Sequence, residues 1–307
     1  MRTAFVEALC LEAAANRDLW LLTGDLGYSV LEGFARQFPE RFMNVGVAEQ
    51  NMISVAAGLA MTGKTVVTYS IVNFTTLRCL EQIRGDVCYH QANVKIAGVG
   101  GGFAYGSLGP THHGIEDLSA ICALPGIDVL VPADPHEARV LTREALRRPG
   151  PAYLRLGKAG ESNIHADEPP YVRGGMIPVR PGTDALIIAT GALVKEALAA
   201  ATLWAATGRE AAVWSCPWLR PFDAAAVAAA AGQFPTILVA EEGVATGGLA
   251  AAVGRVVGGM SGARARVIEA AVPPEFGPST LSQKSAWARL GLDAAGLLAR
   301  LASATPK

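Results

Sequence analysis

The sequence has little charge, and neither sign predominates. Charged residues are 17% of the 307 residues, and the formal net charge is −1. Proteins that bind nucleic acid or an anionic membrane through their surface usually carry clustered positive charge. The composition therefore predicts that neither of these is a main partner.

Cysteines are also few, and none is paired in the sequence. The five cysteines include no Cys-x-x-Cys motif, and an odd, scattered set argues against a disulfide framework or a zinc site. The chain has no run of about 18 uncharged apolar residues and no apolar stretch like that of a signal peptide at its start. We therefore expect reduced thiols, no transmembrane helix and a cytoplasmic location.

Apolar residues, by contrast, make up 51% of the chain. The length suggests about two domains. Short apolar runs alternate with helical patterns, which is typical of a mostly parallel sheet covered by helices. The predicted strands of the first unit are residues 19–23, 42–45, 65–69, 94–99, 128–131 and 152–156. Its predicted helices are residues 3–15, one that ends at 38, residues 74–91 and one that begins after 134.

A second α/β unit follows an irregular segment rich in proline and glycine. The predicted fold class is α/β, with two consecutive open, mostly parallel sheets and helices on both faces of each. The predicted strands of the second unit are residues 185–189, 210–214 and 236–240, and its alanine-rich helix is 224–231. We place the first domain at residues 1–165, the linker at 166–183 and the second domain at 184–307.

Several polar or aromatic residues fall where the strands of the first unit end. Ligands of open parallel sheets bind beyond the carboxyl ends of the strands. Those ends hold Asp25, Glu49, residues 69–74 and a glycine-rich loop at 100–113. We therefore expect one ligand site at this edge of the sheet.

Glu49 is the central candidate. It lies between an apolar strand and a helix of small residues, 51–60, which lets a ligand ring approach closely. A carboxylate in apolar surroundings has a poorly solvated charge and can share or donate a proton near neutral pH. The alternative is a carboxylate that only complements the dipole at the start of the helix.

The glycine-rich loop carries two adjacent histidines. It lacks the Lys-Ser/Thr pair of a nucleotide-binding P-loop, and His112 and His113 cannot ligate a metal from one helix face, which needs a spacing of three or four. A histidine on such a loop can be solvated or functional. Glu241 and Glu242 are adjacent and so are not expected to face each other across a cleft like a glycosidase pair. We interpret them as structural or interface residues.

Six motifs follow one another along the chain. They are Thr23-Gly24-Asp25-Leu26-Gly27, Val45 to Gln50, Tyr69 to Arg84, Gly109-Pro110-Thr111-His112, Pro132-Ala133-Asp134 and Glu241-Glu242-Gly243. Their order and spacing are more specific than any single motif. Taken together, they resemble the C-terminal half of transketolase over nearly the whole chain. That half comprises the pyrimidine-binding domain, which binds thiamine diphosphate, and the transketolase C-terminal domain.

The resemblance implies a thiamine diphosphate site in which Glu49 is bonded to N1′ of the aminopyrimidine ring. Proton sharing there favours the 4′-imino form, whose nitrogen removes the C2 proton of the thiazolium, and the cofactor then acts as an electron sink for C–C cleavage. Phe74 matches the aromatic residue that stacks on the ring, and Ile71 lies where the family often has a second aromatic residue. Asp25 matches an aspartate at the cofactor edge, and Tyr69 lines the same predicted pocket.

The resemblance also implies substrate contacts. His112 matches a histidine that contacts substrate oxygens, with a role in hydrogen bonding and proton transfer. Arg2 and Ser29 match residues that bind substrate phosphate. Lys158 takes the place of a second arginine, which keeps the charge but loses the two-pronged donor geometry.

Two further positions depart from the family. Gly100 stands where a phosphate-binding histidine is expected, and Leu108 replaces an aspartate that recognises a donor hydroxyl. These departures favour a modified sugar or a carrier-bound acceptor over an ordinary pentose or hexose phosphate.

The resemblance also indicates what this chain lacks. In the family, Mg²⁺ holds the diphosphate through a Gly-Asp-Gly motif and a later Asn. Gly24-Asp25-Leu26 is the nearest match, and it belongs to another motif. We therefore predict no metal ligands on this chain, a partner equivalent to the N-terminal half of transketolase, and an α2β2 heterotetramer with thiamine diphosphate between the two kinds of chain.

The predicted function is transfer of a two-carbon ketol unit from a ketose-type donor to an aldehyde or a carrier-bound acceptor. One alternative is the β subunit of a 2-oxoacid dehydrogenase E1, although the motifs at 109–112 and 155–158 favour transketolase. A second is an enzyme like 1-deoxyxylulose-phosphate synthase, which normally occupies one longer chain. The third is a non-catalytic stabilising subunit, which the joint retention of Glu49, Phe74 and His112 disfavours.

Overall fold

The computed structural model describes residues 1–262, 264–277 and 280–304. Within these ranges the strands are β1 Leu19–Thr23, β2 Phe42–Asn44, β3 Thr65–Ile71, β4 Val94–Val99, β5 Asp128–Leu130, β6 Ala152–Leu156, β7 Ile177–Arg180, β8 Ala185–Ala189, β9 Ala211–Ser215, β10 Trp218–Arg220, β11 Thr236–Val244 and β12 Arg266–Val272. The α-helices are α1 Arg2–Ala15, α2 Glu32–Gln37, α3 Glu49–Met61, α4 Val72–Thr75, α5 Leu80–Gln82, α6 Asp117–Cys122, α7 Pro135–Arg147, α8 Leu193–Ala205, α9 Ala224–Gln233, α10 Leu249–Gly258, α11 Gln283–Leu290 and α12 Ala294–Ala304.

Two sheets form the framework of the molecule. The first has the strand order β10-β5-β6-β4-β3-β1-β2, and the second has the order β12-β11-β8-β9-β7. Neighbouring strands are parallel except for β10 with β5 and β7 with β9. The predicted α/β fold, with two consecutive and mostly parallel sheets, is confirmed.

The central strands β3 and β4 are buried along their whole length, as expected for parallel strands with helices on both faces. Met52 and Ile53 of α3 contribute to the core on one face. Phe5 and Leu9 of α1 contribute to the core on the other. This packing fixes the carboxyl ends of the strands, where the candidate residues lie.

Two helices beside this edge differ from the prediction. The segment predicted as one helix over 74–91 consists of α4, a 3-10 turn at Leu77–Cys79, α5 and a π-helical segment at Ile83–Cys88. The hydroxyl of Thr76 donates a 2.6 Å hydrogen bond to the carbonyl oxygen of Val72, a local bond that competes with regular helix. The helix predicted to end at residue 38 is shorter than expected and consists of α2 alone, Glu32–Gln37. Asp25 and Ser29, which precede it, adopt left-handed backbone conformations that a helix does not accommodate.

Three edge strands are absent from the prediction: β12, which is parallel to β11, and the antiparallel strands β7 and β10. Strand β7 lies within the segment predicted as a linker and pairs with β9. Strand β10 follows β9 in the chain but joins the first sheet beside β5. Arg220, at the end of β10, donates hydrogen bonds to the carbonyl oxygens of Cys122 and Leu124. The second half of the chain therefore supplies an edge strand to the first sheet.

Candidate active site

Glu49 begins α3 at the carboxyl edge of the first sheet. Strand β2 ends at Asn44, and the chain turns into the helix through Gly46, whose φ is +73°. The Glu49 residue is 2% exposed. It packs on Gly24 at the end of β1, where an added Cβ would lie 3.2 Å from Cγ of Glu49. A larger residue at position 24 would therefore require the Glu49 side chain to shift by a few tenths of an ångström.

The carboxylate of Glu49 is paired with polar groups, which corrects the expectation of apolar surroundings. Its Oε2 accepts a 2.6 Å hydrogen bond from Nη1 of Arg78, and its Oε1 accepts one of 3.3 Å from the hydroxyl of Ser70. The bond from Arg78 is charge-assisted and so is among the stronger kinds. Sequence reasoning missed Arg78, whose only signal is its place on the segment that follows β3.

Planar side chains lie in contact beside this carboxylate. Cζ of Arg78 lies 4.4 Å from the centroid of the Phe74 ring. The Phe74 ring meets His112 edge to face, with the ring centroids 5.3 Å apart. Ile71, at the end of β3, is 8% exposed. The structure thus brings three predicted residues, Glu49, Phe74 and His112, into one contact chain that runs through Arg78.

His112 lies on a 3-10 turn of the glycine-rich loop, with its Nδ1 3.0 Å from the hydroxyl oxygen of Thr111. The side-chain amide of Asn73 donates hydrogen bonds of 3.2 and 2.8 Å to the carbonyl oxygens of Thr111 and His113. These bonds fix the loop to the residue that precedes Phe74. Burial lowers the pKa of His112, and the neighbouring His113 lowers it further, so the imidazole is mainly neutral at pH 7.

Tyr69 is not part of this group. Successive residues of a strand point to opposite faces of the sheet. Ser70 contacts Glu49, whereas Tyr69 lies in the core with its ring stacked on Phe5 at a centroid distance of 6.1 Å. Burial raises the pKa of its hydroxyl. The structure therefore places Tyr69 in the core that α1 covers.

Asp25 lies just beyond β1 and has a left-handed φ of +55°. Its Oδ1 accepts hydrogen bonds of 3.0 Å from the side-chain amide of Asn44 and from the hydroxyl of Tyr28. Its backbone N–H donates to Oδ1 of Asn44. The hydrogen bond from Asn44, followed by that from Tyr28, holds the pKa of Asp25 below its ordinary value. Sequence reasoning missed Asn44, which marks the end of the neighbouring strand β2.

The base of the glycine-rich loop rests on Glu242. Its carboxylate accepts a 2.8 Å hydrogen bond from the backbone N–H of Phe103 and 3.0 Å bonds from the amide of Gln283. Gly102 has a φ of +65°, and an added Cβ would lie 2.1 Å from Cδ of Glu242. Burial raises the pKa of Glu242. These contacts are structural, as the sequence indicated for this pair of glutamates.

A buried ion pair lies under the same loop. Nε of Arg155 donates a 2.9 Å hydrogen bond to Oδ2 of Asp117, and the hydroxyl of Tyr153 donates one of 2.6 Å to the same oxygen. Nη2 of Arg155 donates to the carbonyl oxygens of Gly114 and Glu242. The group connects the end of the loop and α6 to strands of both sheets.

The three residues predicted to bind phosphate are not members of the Glu49 contact chain. In the part of the chain that the structure describes, no hydrogen bond or ring contact joins Arg2, Ser29 or Lys158 to it. Ser29 is exposed and has a φ of +61°. Nζ of the exposed Lys158 lies 5.8 Å from the centroid of the Tyr105 ring.

Tyr105 also covers Gly100. An added Cβ at Gly100 would lie 2.2 Å from two atoms of the Tyr105 ring, and the φ of Gly100 is +83°. No larger side chain fits at position 100 while the ring stays there. Leu108, the other departure from the family pattern, is 56% exposed.

Two family models match consecutive parts of the chain. The transketolase pyrimidine-binding domain matches residues 1–160, and the transketolase C-terminal domain matches residues 174–297. The chain belongs to the transketolase family. The resemblance inferred from the sequence motifs is thereby confirmed, and with it membership of a family that depends on thiamine diphosphate.

Individual relatives agree with this assignment. The chain is 36% identical to a subunit of the apulose-4-phosphate transketolase of Phocaeicola vulgatus, over 82% of this chain and 81% of the relative. It is 37% identical to 1-deoxy-D-xylulose-5-phosphate synthase 1 of Geobacter sulfurreducens over 96% of this chain, but it covers only 46% of that protein. A solved structure described as a split gene transketolase, inactive beta4 tetramer, matches with a TM-score of 0.88 and 32% sequence identity. The match covers 99% of this transketolase chain and 97% of the chain in that structure. The chain is therefore a subunit of a transferase of the transketolase type.

Neither a metal cluster nor a membrane helix is found in the described part of this transketolase chain. Within residues 1–262, 264–277 and 280–304, no group of three or more His, Cys, Asp or Glu side chains is arranged to hold a metal ion. No helix in those ranges is both long enough and apolar enough to cross a membrane.

Proposed function

We propose that the chain is the C-terminal-half subunit of a two-chain transketolase and supplies Glu49, Phe74 and His112 to its active site. The contact chain that joins these residues at the carboxyl edge of the first sheet carries the proposal. A buried carboxylate beside the face of an aromatic ring suits a planar, nitrogen-containing ring. A neighbouring histidine suits an oxygen-rich substrate.

The contacts already present at the site test whether an aminopyrimidine ring fits it. The guanidinium of Arg78 is planar, donates an N–H to Glu49 and lies against the face of Phe74. A pyrimidine that carries a proton on its ring nitrogen is also planar and also donates an N–H. Glu49 and Phe74 thus already contact a planar N–H donor, the guanidinium of Arg78, in the way that they would contact the aminopyrimidine ring. The two residues therefore fit that ring. Ile71, at the end of β3, belongs to the same core as Tyr69, and Phe74 packs against that core, so the proposed role of Ile71 is to support the ring of Phe74.

When it is bound, thiamine diphosphate supplies the electron sink for C–C cleavage. Glu49 holds a proton at the ring nitrogen, and its burial excludes water from that proton. Ser70 orients the carboxylate through Oε1. His112 is mainly neutral at pH 7 because its pKa is lowered, so it can both donate and accept at substrate oxygens. Asp25, fixed by its hydrogen bonds, lies at the cofactor edge.

The proposed partner is a chain equivalent to the N-terminal half of transketolase, which holds the diphosphate and Mg²⁺. One relative is described as a subunit of a transketolase and another as a split gene product, which supports this division. Tyr28 and Val47, on the segments that flank the site, are 72% and 73% exposed, as expected for a cleft that a second chain completes. We propose an α2β2 assembly in the cytoplasm, where the five free cysteines would stay reduced.

The proposed substrate is a ketose that differs from the common pentose and hexose phosphates, or one that reacts with a carrier-bound acceptor. The Tyr105 ring fills the space beside Gly100, and Leu108 presents an apolar side chain. A relative named for apulose-4-phosphate supports an unusual sugar phosphate. Arg2, Ser29 and Lys158 are the proposed phosphate contacts.

The test is reconstitution of the two chains. Glu49→Gln should abolish ketol transfer and leave assembly with the partner unchanged, as measured by steady-state turnover and size-exclusion chromatography. Glu81→Gln is the matched control, because the Glu81 side chain is 76% exposed. This chain alone should show no turnover. Full activity of the Glu49 variant would exclude the proposed role, and robust activity of the single chain would exclude the divided site.

A further inference from the structure

Arg78 already uses both partners on which the proposed function depends. Its Nη1 donates a 2.6 Å hydrogen bond to Oε2 of Glu49, and its Cζ lies 4.4 Å from the centroid of the Phe74 ring. A ring stacked on the same face of Phe74 and bonded to the same carboxylate oxygen would overlap with the guanidinium. The two cannot be in place together.

We propose that Arg78 closes the pyrimidine subsite in the cofactor-free protein, and that the cofactor displaces its side chain from Glu49 and Phe74. The inference rests on the proposed function, because it takes those two residues as the binding partners of the ring. It adds an occupant that competes with the cofactor.

The geometry allows the side chain to leave while its backbone stays in place. Arg78 lies on the short turn Leu77–Cys79, and its side chain is 42% exposed. The side-chain amide of Gln50 donates a 3.0 Å hydrogen bond to the carbonyl oxygen of Arg78. The neighbouring Cys79 is buried. Displacement therefore needs rotation of one solvent-accessible side chain and no opening of the core.

Electrostatics explains why the closed arrangement forms before the cofactor arrives. Glu49 is almost completely buried, and a buried carboxylate without a partner is costly. Arg78 supplies that partner in the separate chain. The cofactor must replace the ion pair with its own hydrogen bond, so part of its binding free energy is spent on displacing Arg78, and its apparent affinity is reduced.

The test is the dissociation constant of thiamine diphosphate in the two-chain complex, measured by isothermal titration calorimetry. Arg78→Ala and Arg78→Gln should each bind the cofactor roughly three- to tenfold more tightly than the wild type, which is the scale of a partly exposed ion pair. Arg84→Gln is the matched control. Arg84 is a nearby arginine whose ion-pair partner, Glu81, is exposed, so its loss should leave the constant unchanged.

A structural measurement accompanies the affinity. In protein labelled with [¹⁵N]arginine, the side-chain resonance of Arg78, assigned by its absence in Arg78→Gln, should shift in Glu49→Gln and on addition of the cofactor. If the wild-type complex binds thiamine diphosphate and both Arg78 variants bind it equally tightly or more weakly, this inference is overturned. The proposed function then remains intact. A wild-type complex that binds no thiamine diphosphate would overturn both.

Discussion

The carboxylate of Glu242 accepts a 2.8 Å hydrogen bond from the backbone N–H of Phe103. Phe103 belongs to the glycine-rich loop of the first domain, and Glu242 lies on β11 of the second sheet. The loop that presents His112 is thus fixed by a residue from the other half of the chain. Substitutions in the second domain are therefore expected to affect the candidate active site.

Gly102→Ala should displace the loop from Glu242. The new methyl group would lie 2.1 Å from Cδ of Glu242, and the backbone at position 102 has a φ of +65°, so the variant should be less stable by more than ~1 kcal/mol. Thermal unfolding measures the loss, and hydrogen exchange should localise it to the loop. Gly63→Ala is the control, since Gly63 has a φ of +93° but no atom within 4 Å of the new Cβ. Equal losses in both variants would show that the contact with Glu242 adds nothing.

Asp117→Asn should be strongly destabilising. It leaves the guanidinium of Arg155 buried without its counter-charge, and the loss of one partner of a buried ion pair costs about 3–5 kcal/mol. Urea unfolding measures the change. Glu168→Gln is the comparison variant. It removes the ion pair between Glu168, whose side chain is 35% exposed, and Arg143, whose side chain is 28% exposed, and it should reduce the free energy of unfolding by under ~1 kcal/mol. Similar costs for the two variants would contradict the role assigned to the Arg155 network.

Glu241 should make stability depend on pH. Its carboxylate accepts 2.8 Å hydrogen bonds from the backbone N–H groups of Leu249 and Ala250 at the start of α10. Burial nevertheless raises its pKa from 4.5 to about 7. Between these two pH values the folded protein keeps a proton on Glu241 that the unfolded chain releases. The contribution of this proton to the free energy of unfolding is therefore complete below pH 4.5 and is lost as the pH rises to about 7.

Glu241→Gln should flatten that dependence. The quantity to follow is the free energy of unfolding of the variant minus that of the wild type. This difference should increase by roughly 3 kcal/mol from pH 4.5 to pH 7, as measured by urea unfolding at a series of pH values. Glu81→Gln should give a curve parallel to that of the wild type, since Glu81 is exposed. A parallel curve for Glu241→Gln would contradict the raised pKa.

His112→Asn should lower kcat by about 10²- to 10⁴-fold if the imidazole transfers a proton. Because burial lowers the pKa of His112, the acidic limb of the wild-type profile should lie at a lower pH than that of an ordinary histidine. The measurement is the pH profile of kcat/KM for both proteins. An acidic limb that persists in the variant would assign that limb to another group.

The strand pattern and the edge where the strands end could be predicted from the sequence. Short apolar runs and the glycines after β1 and β4 carry that information locally, and they place Glu49 and His112 at one edge. Arg78, Asn44 and Asn73 could not be predicted, because their roles arise from contacts between segments that fold together. Proximity in the sequence predicts that Tyr69 lines the pocket, but the alternation of side chains along β3 places it in the core.

The departures of the helices from the prediction have the same origin. The periodicity of apolar residues predicts one long helix over 74–91. It carries no information on the hydrogen bond from the hydroxyl of Thr76 to the carbonyl oxygen of Val72, which competes with regular helix. Edge strands β7 and β10 are too short for a pattern and are defined by their partners.

The placement of β10 leaves the first sheet incomplete without the second half of the chain. A fragment that ends at residue 165 would keep its own core residues but would lose the strand that covers the hydrogen-bonding edge of β5. An uncovered edge of this kind recruits strands from other molecules, so the fragment would be prone to aggregate. A fragment that retains the first sheet should therefore also retain Trp218–Arg220, although this strand begins more than fifty residues beyond the end of β6 in the sequence.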